Sequence, residues 1–258
     1  MRTIVKHLLK SIGVELRRYS PLSRACDMLI QKGENPTFLQ IGANDGVMHD
    51  DVYPLVTKHQ LSGVVVEPIP AYFETLRHIY IRQPRVKPVN MALHPSETSM
   101  QLFMVDPAKA TQTWHHGLPS FNRENVKNHY GVTDDMIVPV EVPCVSFNRL
   151  CAEHLGGRAL DILVIDTEGF DGEILAMVDW TIHRPKIIQF ERKHIPSADF
   201  DRLCQKLRGM GYAVSWDHTD CWAARPELVR PLTYFRAMMS GQTSLRPPPA
   251  PALEPAAA

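Results

Sequence analysis

The chain has 258 residues, enough for one large domain with extensions, and its composition is that of an ordinary globular protein. Its 28 Lys and Arg balance 28 Asp and Glu, so no global field draws it toward nucleic acid or another polyanion. The five cysteines are widely spaced and form no C-x-x-C pair, which argues against a zinc site or disulfide framework and suits a cytoplasmic location.

Residues 1–36 form a first segment. Val5, Leu8, Leu9, Ile12 and Leu16 recur at helical spacing among Lys and Arg, without the unbroken apolar core of a secretory signal. This predicts an amphipathic helical extension whose stripe packs on the domain, with peripheral contact to an anionic membrane as the competing use. No apolar run reaches the roughly 18 residues of a membrane span. Residues 37–240 are predicted to form the main domain. Residues 241–258, rich in Pro and Ala, read as a disordered tail.

Within the domain, "TFLQI" (37–41) reads as a buried strand, "DDVYPLVTKHQ" as a helix and "SGVVVEP" as a second strand. Phe73, Leu76, Ile79 and Tyr80 then share one helical face, and "RVKPVNMAL" is a third strand candidate with "SMQLFMVD" a fourth. The stretch from Pro107 to Gly131 has no clear period and reads as a binding loop or lid. "MIVPVEVPCVSF" is extended, and Pro139 and Pro143 suggest an edge strand. "LDILVIDTEGFDGEILAMV" gives a buried strand, an acidic turn and a helix. "KIIQFERKH" is another strand, residues 197–211 a helix, and Tyr212 to Arg225 a closing hairpin. The alternation predicts an α/β, doubly wound, Rossmann-like sheet, mostly parallel with a C-terminal antiparallel hairpin.

The glycine turn after the first strand is the first functional signal. Gly42 and Gly46 flank Ala43, Asn44 and Asp45. A P-loop would need Lys and a hydroxyl after its last glycine, where Val47 stands. A dinucleotide turn would need a third glycine, and Asp45 would repel a pyrophosphate. A cofactor with cationic groups and no phosphate, such as S-adenosylmethionine, fits better. Glu67 ends the second strand about twenty residues on, where a carboxylate can accept both hydroxyls of a ribose.

The blocks "FLQIGANDG", "VVVEPIPAYFETL", "VNMAL", "LDILVIDTEGFDGEIL" and "KIIQFERKH" resemble the FkbM-type methyltransferases from about Phe38 to Tyr212. The resemblance implies an S-adenosylmethionine-dependent enzyme that O-methylates a hydroxyl of a sugar, glycan or secondary metabolite. It assigns Gln40, Gly42, Ala43, Asn44, Asp45, Gly46, Glu67, Pro68, Ala92, Ser120 and Asp166 to the cofactor. Gln40 stands where the superfamily often has a carboxylate, so the charge there is lost. Methyl transfer to oxygen also needs a base. Asp166 at its strand end, with His194 and Glu191 after the next strand, are the catalytic candidates. His115 and His116 in the long loop are weaker ones. Asp166, Glu168 and Asp171 would also suit Mg²⁺, but acidic helix starts are common without metal, and no metal ligand is assigned. Two other readings are an NAD(P)-dependent oxidoreductase or epimerase, which lacks its third glycine and a Tyr-x-x-x-Lys pair here, and a catalytically degenerate binding domain.

Overall fold

The computed structural model describes residues 20–46, 50–112, 115 and 118–229. The helix expected around Val5 to Leu16 and the Pro/Ala-rich tail lie outside the described residues. Among those residues no helix is long and apolar enough to cross a membrane.

The described residues open on α1 (Pro21–Gln31), which lies within the 1–36 segment expected as one basic helical extension. Ser20 caps it by accepting the Ser23 amide, and Pro21 occupies the first turn, where its missing N–H costs nothing. Then follow β1 (Thr37–Ile41), α2 (Tyr53–His59), β2 (Ser62–Val66), α3 (Pro70–Ile79) and β3 (Val86–Val89). After these come two short pieces and a long strand: β4 (Ala92–Leu93), β5 (Ser99–Val105) and, past α4 (Arg123–Lys127), β6 (Ile137–Val145). The chain ends with α5 (Phe147–His154), β7 (Ile162–Ile165), α6 (Asp171–Met177), β8 (Ile187–Glu191), α7 (Ser197–Gly209), β9 (Ala213–Trp216) and β10 (Asp220–Ala224).

The main sheet has seven strands in the order β3-β2-β1-β7-β8-β10-β9. All neighbours are parallel except β10, which runs antiparallel to β8 and β9, as the hairpin prediction required. Strands β1, β2, β7 and β8 are buried along their whole length, because helices cover both faces. Phe38, Val65, Ile162 and Val164 face α1, α2 and α3; Leu39, Ile41, Leu163 and Ile165 face α5, α6 and α7. The strand order reverses between β1 and β7, the place where open α/β sheets bind ligands.

One expectation changes. The third strand candidate joins the main sheet as β3 only over Val86–Val89, and the fourth does not extend that sheet. The chain leaves β3 at Asn90, whose side chain donates to the carbonyls of Glu67 and Pro68, and β4 joins a separate three-stranded sheet, β4-β6-β5. There β6 is central, not an edge. Its prolines are tolerated for a local reason. The Cys144 amide donates toward Thr98 beside β5, so by alternation Pro139 and Pro143 turn their N–H-free side away from β5. On that side β4 reaches only Cys144 and Val145.

Candidate active site

A cavity of about 320 Å³ opens at the carboxyl ends of β1, β2, β7 and β8, and the small sheet and the segment after it cover its far side. Six carboxylates line it, from Asp50, Asp51, Glu67, Asp166, Glu168 and Asp220, against the single ammonium of Lys193. Such a wall favours a cationic ligand and disfavours a phosphate.

The glycine turn forms one side. Gly42 has φ +80°, and a Cβ there would lie 1.8 Å from the Asp166 carbonyl oxygen, so only glycine lets β1 and β7 part at this spacing. Glu67 is buried. Its Oε2 accepts the Asn44 amide at 2.9 Å and its Oε1 the Ile69 amide at 2.8 Å. One lone pair on each oxygen therefore shapes the turn, and the others remain for a ligand. Burial pushes this carboxyl up to about 7, against the opposing pull of the two amides.

Gln40 does not stand alone at the end of β1. Its Nε2 donates to Asp50 Oδ1, which also caps α2 by accepting the Val52 and Tyr53 amides. Asp50 thus places a carboxylate beside Gln40, and burial raises it to about 6. Gln40 Oε1 and Asp50 Oδ2 are both buried and accept no hydrogen bond among the described residues. Two buried acceptors without a donor, on side chains joined by a hydrogen bond, would suit a cationic donor such as an ammonium. Asp51 is fixed nearby through Gln189, which is held in turn by the Trp222 indole.

The acidic turn after β7 divides its labour. Asp166 is exposed into the cavity; crowding by the surrounding protein, and then the charges of Asp171, Glu168 and Asp220, hold its carboxyl above the usual range even though its surface is open. Asp171 is structural: Oδ2 accepts the Thr167 amide and hydroxyl, and Oδ1 the Glu191 amide. Asp171→Asn is expected to lower folding stability by about 1–3 kcal/mol, because its amide must oppose one of those donors; a shift in the urea midpoint checks this. Glu168 Oε2 gathers His194 Nε2 at 3.3 Å, and His129 Nε2 and Lys193 Nζ at 3.9 Å each.

Of the residues assigned from sequence, Gln40, Gly42, Ala43, Asn44, Glu67, Pro68, Ala92 and Asp166 line the cavity. Asp45, Gly46, Ser120, Glu191 and His194 are not among its lining residues. Ser120 donates its hydroxyl to the Glu168 carbonyl and so buttresses the acidic turn instead of facing the ligand. Glu191 ends a fully buried strand, and its pleat position points it at Glu168 and His194. Its carboxyl rises to about 9, through burial first and then Glu168, Asp166 and Asp171. His115, a weaker candidate, is buried, and His116 lies outside the described residues. Residues missed from sequence are Asp50, Asp51, His129, Gln189, Lys193 and Asp220. Phe121 and Phe170, in edge contact at 4.9 Å, add an apolar wall.

The model of the FkbM methyltransferase domain matches residues 40–214. No curated protein matches the chain. Among solved structures, the chain is similar to the methyltransferase FkbM from Methylobacillus flagellatus (12% identity, TM-score 0.46). The match covers 73% of this chain and 43% of that one. It is also similar to the O-methyltransferase from Bacillus cereus in complex with SAH (11% identity, TM-score 0.42), over 86% and 90% of the two chains. A third is Aeropyrum pernix fibrillarin with natively bound S-adenosyl-L-methionine (12% identity, TM-score 0.39), over 74% and 67%.

Proposed function

The chain belongs to the FkbM methyltransferase domain family, and from that premise we propose that it is an S-adenosylmethionine-dependent O-methyltransferase acting on a hydroxyl of a sugar, a glycan or a secondary metabolite. The observation that carries the cofactor is the pair of orphaned acceptors, Gln40 Oε1 and Asp50 Oδ2, beside the glycine turn. They would take the α-ammonium, while the free lone pairs of Glu67 would take the ribose hydroxyls. When bound, S-adenosylmethionine supplies a methyl group on a cationic sulfur. The carboxylate-rich wall stabilises that charge and gives no purchase to the pyrophosphate of a nicotinamide dinucleotide or to a phosphodiester chain.

Asp166 is then the group that receives the acceptor's proton. It projects into the cavity from the end of β7, and a carboxyl held above its usual range is a stronger base when ionised. Glu168 and Lys193 flank it. Glu191 and His194 act from behind the wall, positioning Glu168. Phe121 and Phe170 offer the apolar face that a sugar ring or polyketide would cover. Much of the rate comes from holding the hydroxyl in line with the methyl group.

Calorimetric titration of the purified chain with S-adenosylhomocysteine, run beside NADH, tests the cofactor. Micromolar binding of the first and none of the second is expected. No heat with S-adenosylhomocysteine at any concentration would overturn the reading. Transfer of labelled methyl to a panel of glycan and polyketide alcohols, with matched amines as controls, then tests the choice of oxygen.

A further inference from the structure

We propose that His129, Glu168 and His194, with the Glu191 carboxyl behind them, form a binding site for a divalent first-row transition ion at the edge of the cavity. The ligand atoms of the first three lie within 4.8 Å of one another, as do those of Asp166, Glu168 and Glu191. Three segments distant in sequence supply them: the stretch after α4, the turn after β7 and the end of β8.

The spacing is that of donors that share an ion. Glu168 Oε2 lies 3.3 Å from His194 Nε2 and 3.9 Å from His129 Nε2, and Glu191 Oε2 lies 3.7 Å from His194 Nε2. The last two exceed hydrogen-bond length and the first is at its limit. Donors about 2.0–2.1 Å from a tetrahedral ion stand about 3.3 Å apart, so a small contraction closes the shell.

Glu191 gives an independent sign. It is 6% exposed, and its Oε2 accepts no hydrogen bond among the described residues. A buried acceptor 3.7 Å from the His194 imidazole, with the Glu168 carboxylate close by, lacks a positive partner at hydrogen-bond length. The Lys193 ammonium stands 3.9 Å from Glu168 Oε2 and from Glu191 Oε1, too far to bond either.

Donor chemistry selects the ion. Two imidazoles with carboxylates suit Zn²⁺, Mn²⁺ or Fe²⁺, whereas Mg²⁺ prefers an all-oxygen shell. Because His129 and Glu168 line the cavity, an open coordination position would face it. There the ion would bind the acceptor hydroxyl and lower its pKa, easing loss of the proton. That use rests on the methyltransfer reading; the site itself does not.

The full chain, stripped with chelator, is titrated with Zn²⁺ by calorimetry and with Co²⁺ by visible absorption. One equivalent should bind, with the d–d bands of a four- or five-coordinate Co²⁺ ion, and a Mg²⁺ excess should not displace it. His129→Ala and Glu168→Gln should each weaken binding by about 10–100-fold. His78→Ala, at an exposed histidine of α3 that belongs to neither ligand group, should change nothing. S-adenosylhomocysteine binding by the first two variants shows that they fold, and it reports on the cofactor separately from the ion. The proposal is overturned by an absence of Zn²⁺ and Co²⁺ uptake, by uptake undiminished in both cluster variants, or by equal loss in His78→Ala.

Discussion

Gly42→Ala should lower folding stability by at least about 3 kcal/mol and abolish S-adenosylhomocysteine binding. Two costs combine. The residue sits at φ +80°, where a side chain adds about 1–2 kcal/mol. The larger cost is steric: the new Cβ would fall 1.8 Å from the carbonyl oxygen of Asp166 and 2.7 Å from its carbon. That carbonyl is backbone and cannot rotate away. The Gly42 amide is tied to Val66 and the Asp166 amide to Ile41, so relief means parting β1 from β7 at the point where the ligand would sit. Gly156→Ala separates the two costs, because Gly156 has φ +60° with nothing within 4 Å of its Cβ position. Unfolding free energies of the two variants from urea titration should differ by about 2 kcal/mol or more. Equal midpoints would show that the close approach carries no energetic weight.

The elements visible in sequence were those whose signal is local. The runs at 37–41, 62–66 and 162–165 are apolar enough to read as strands buried on both faces, and each is. The closing hairpin was equally plain. Helix α1 was not, because its Ser20-Pro21 start sits directly after a basic amphipathic stretch whose helical spacing runs up to it without a break in composition. The small sheet was harder still. Strand β5 shows its alternation, but nothing in it states that its partner is β6, some thirty-five residues away, and not the main sheet.

The site divides along the same line. The glycine turn, Glu67 and Asp166 were legible because strand ends in an α/β sheet converge by topology. Gln40 read as a missing charge only because Asp50 lies beyond the next turn, and no local pattern announces that its carboxylate returns to bond the Gln40 amide. His129 was one histidine among twelve. Only the packing of α4 against β5 and β6 brings the segment after it to Glu168. Lys193 sat between two residues that were named, Glu191 and His194, but the direction of each side chain past the end of β8 is a tertiary fact.

The affinity of the wild-type chain for S-adenosylhomocysteine should rise with pH and level off above about 7. Glu67 sets this behaviour. Burial raises its carboxyl from 4.5 to about 7. In the free protein a raised carboxyl favours the protonated folded state. Its stability contribution is therefore full below 4.5 and lost as pH climbs through about 7, a change of about 3 kcal/mol. A ribose that donates to the ionised carboxylate works in the opposite direction. Below about 7 the carboxylate must first lose its proton, and affinity falls about tenfold for each further pH unit. Glu67→Gln removes both effects. Its carbonyl can accept one of the two amides from Asn44 and Ile69, but its NH₂ must oppose the other, which loosens the glycine turn. The variant should lose about 1–3 kcal/mol of stability, bind S-adenosylhomocysteine at least about 100-fold more weakly, and lose the slope between about pH 6 and 8, keeping only the fall that protonation of Asp50 causes below about 6. Calorimetry across that range decides the matter. A flat wild-type profile, or a variant that keeps the slope, would mean that another carboxylate of the wall holds the nucleoside and that Glu67 only shapes the turn.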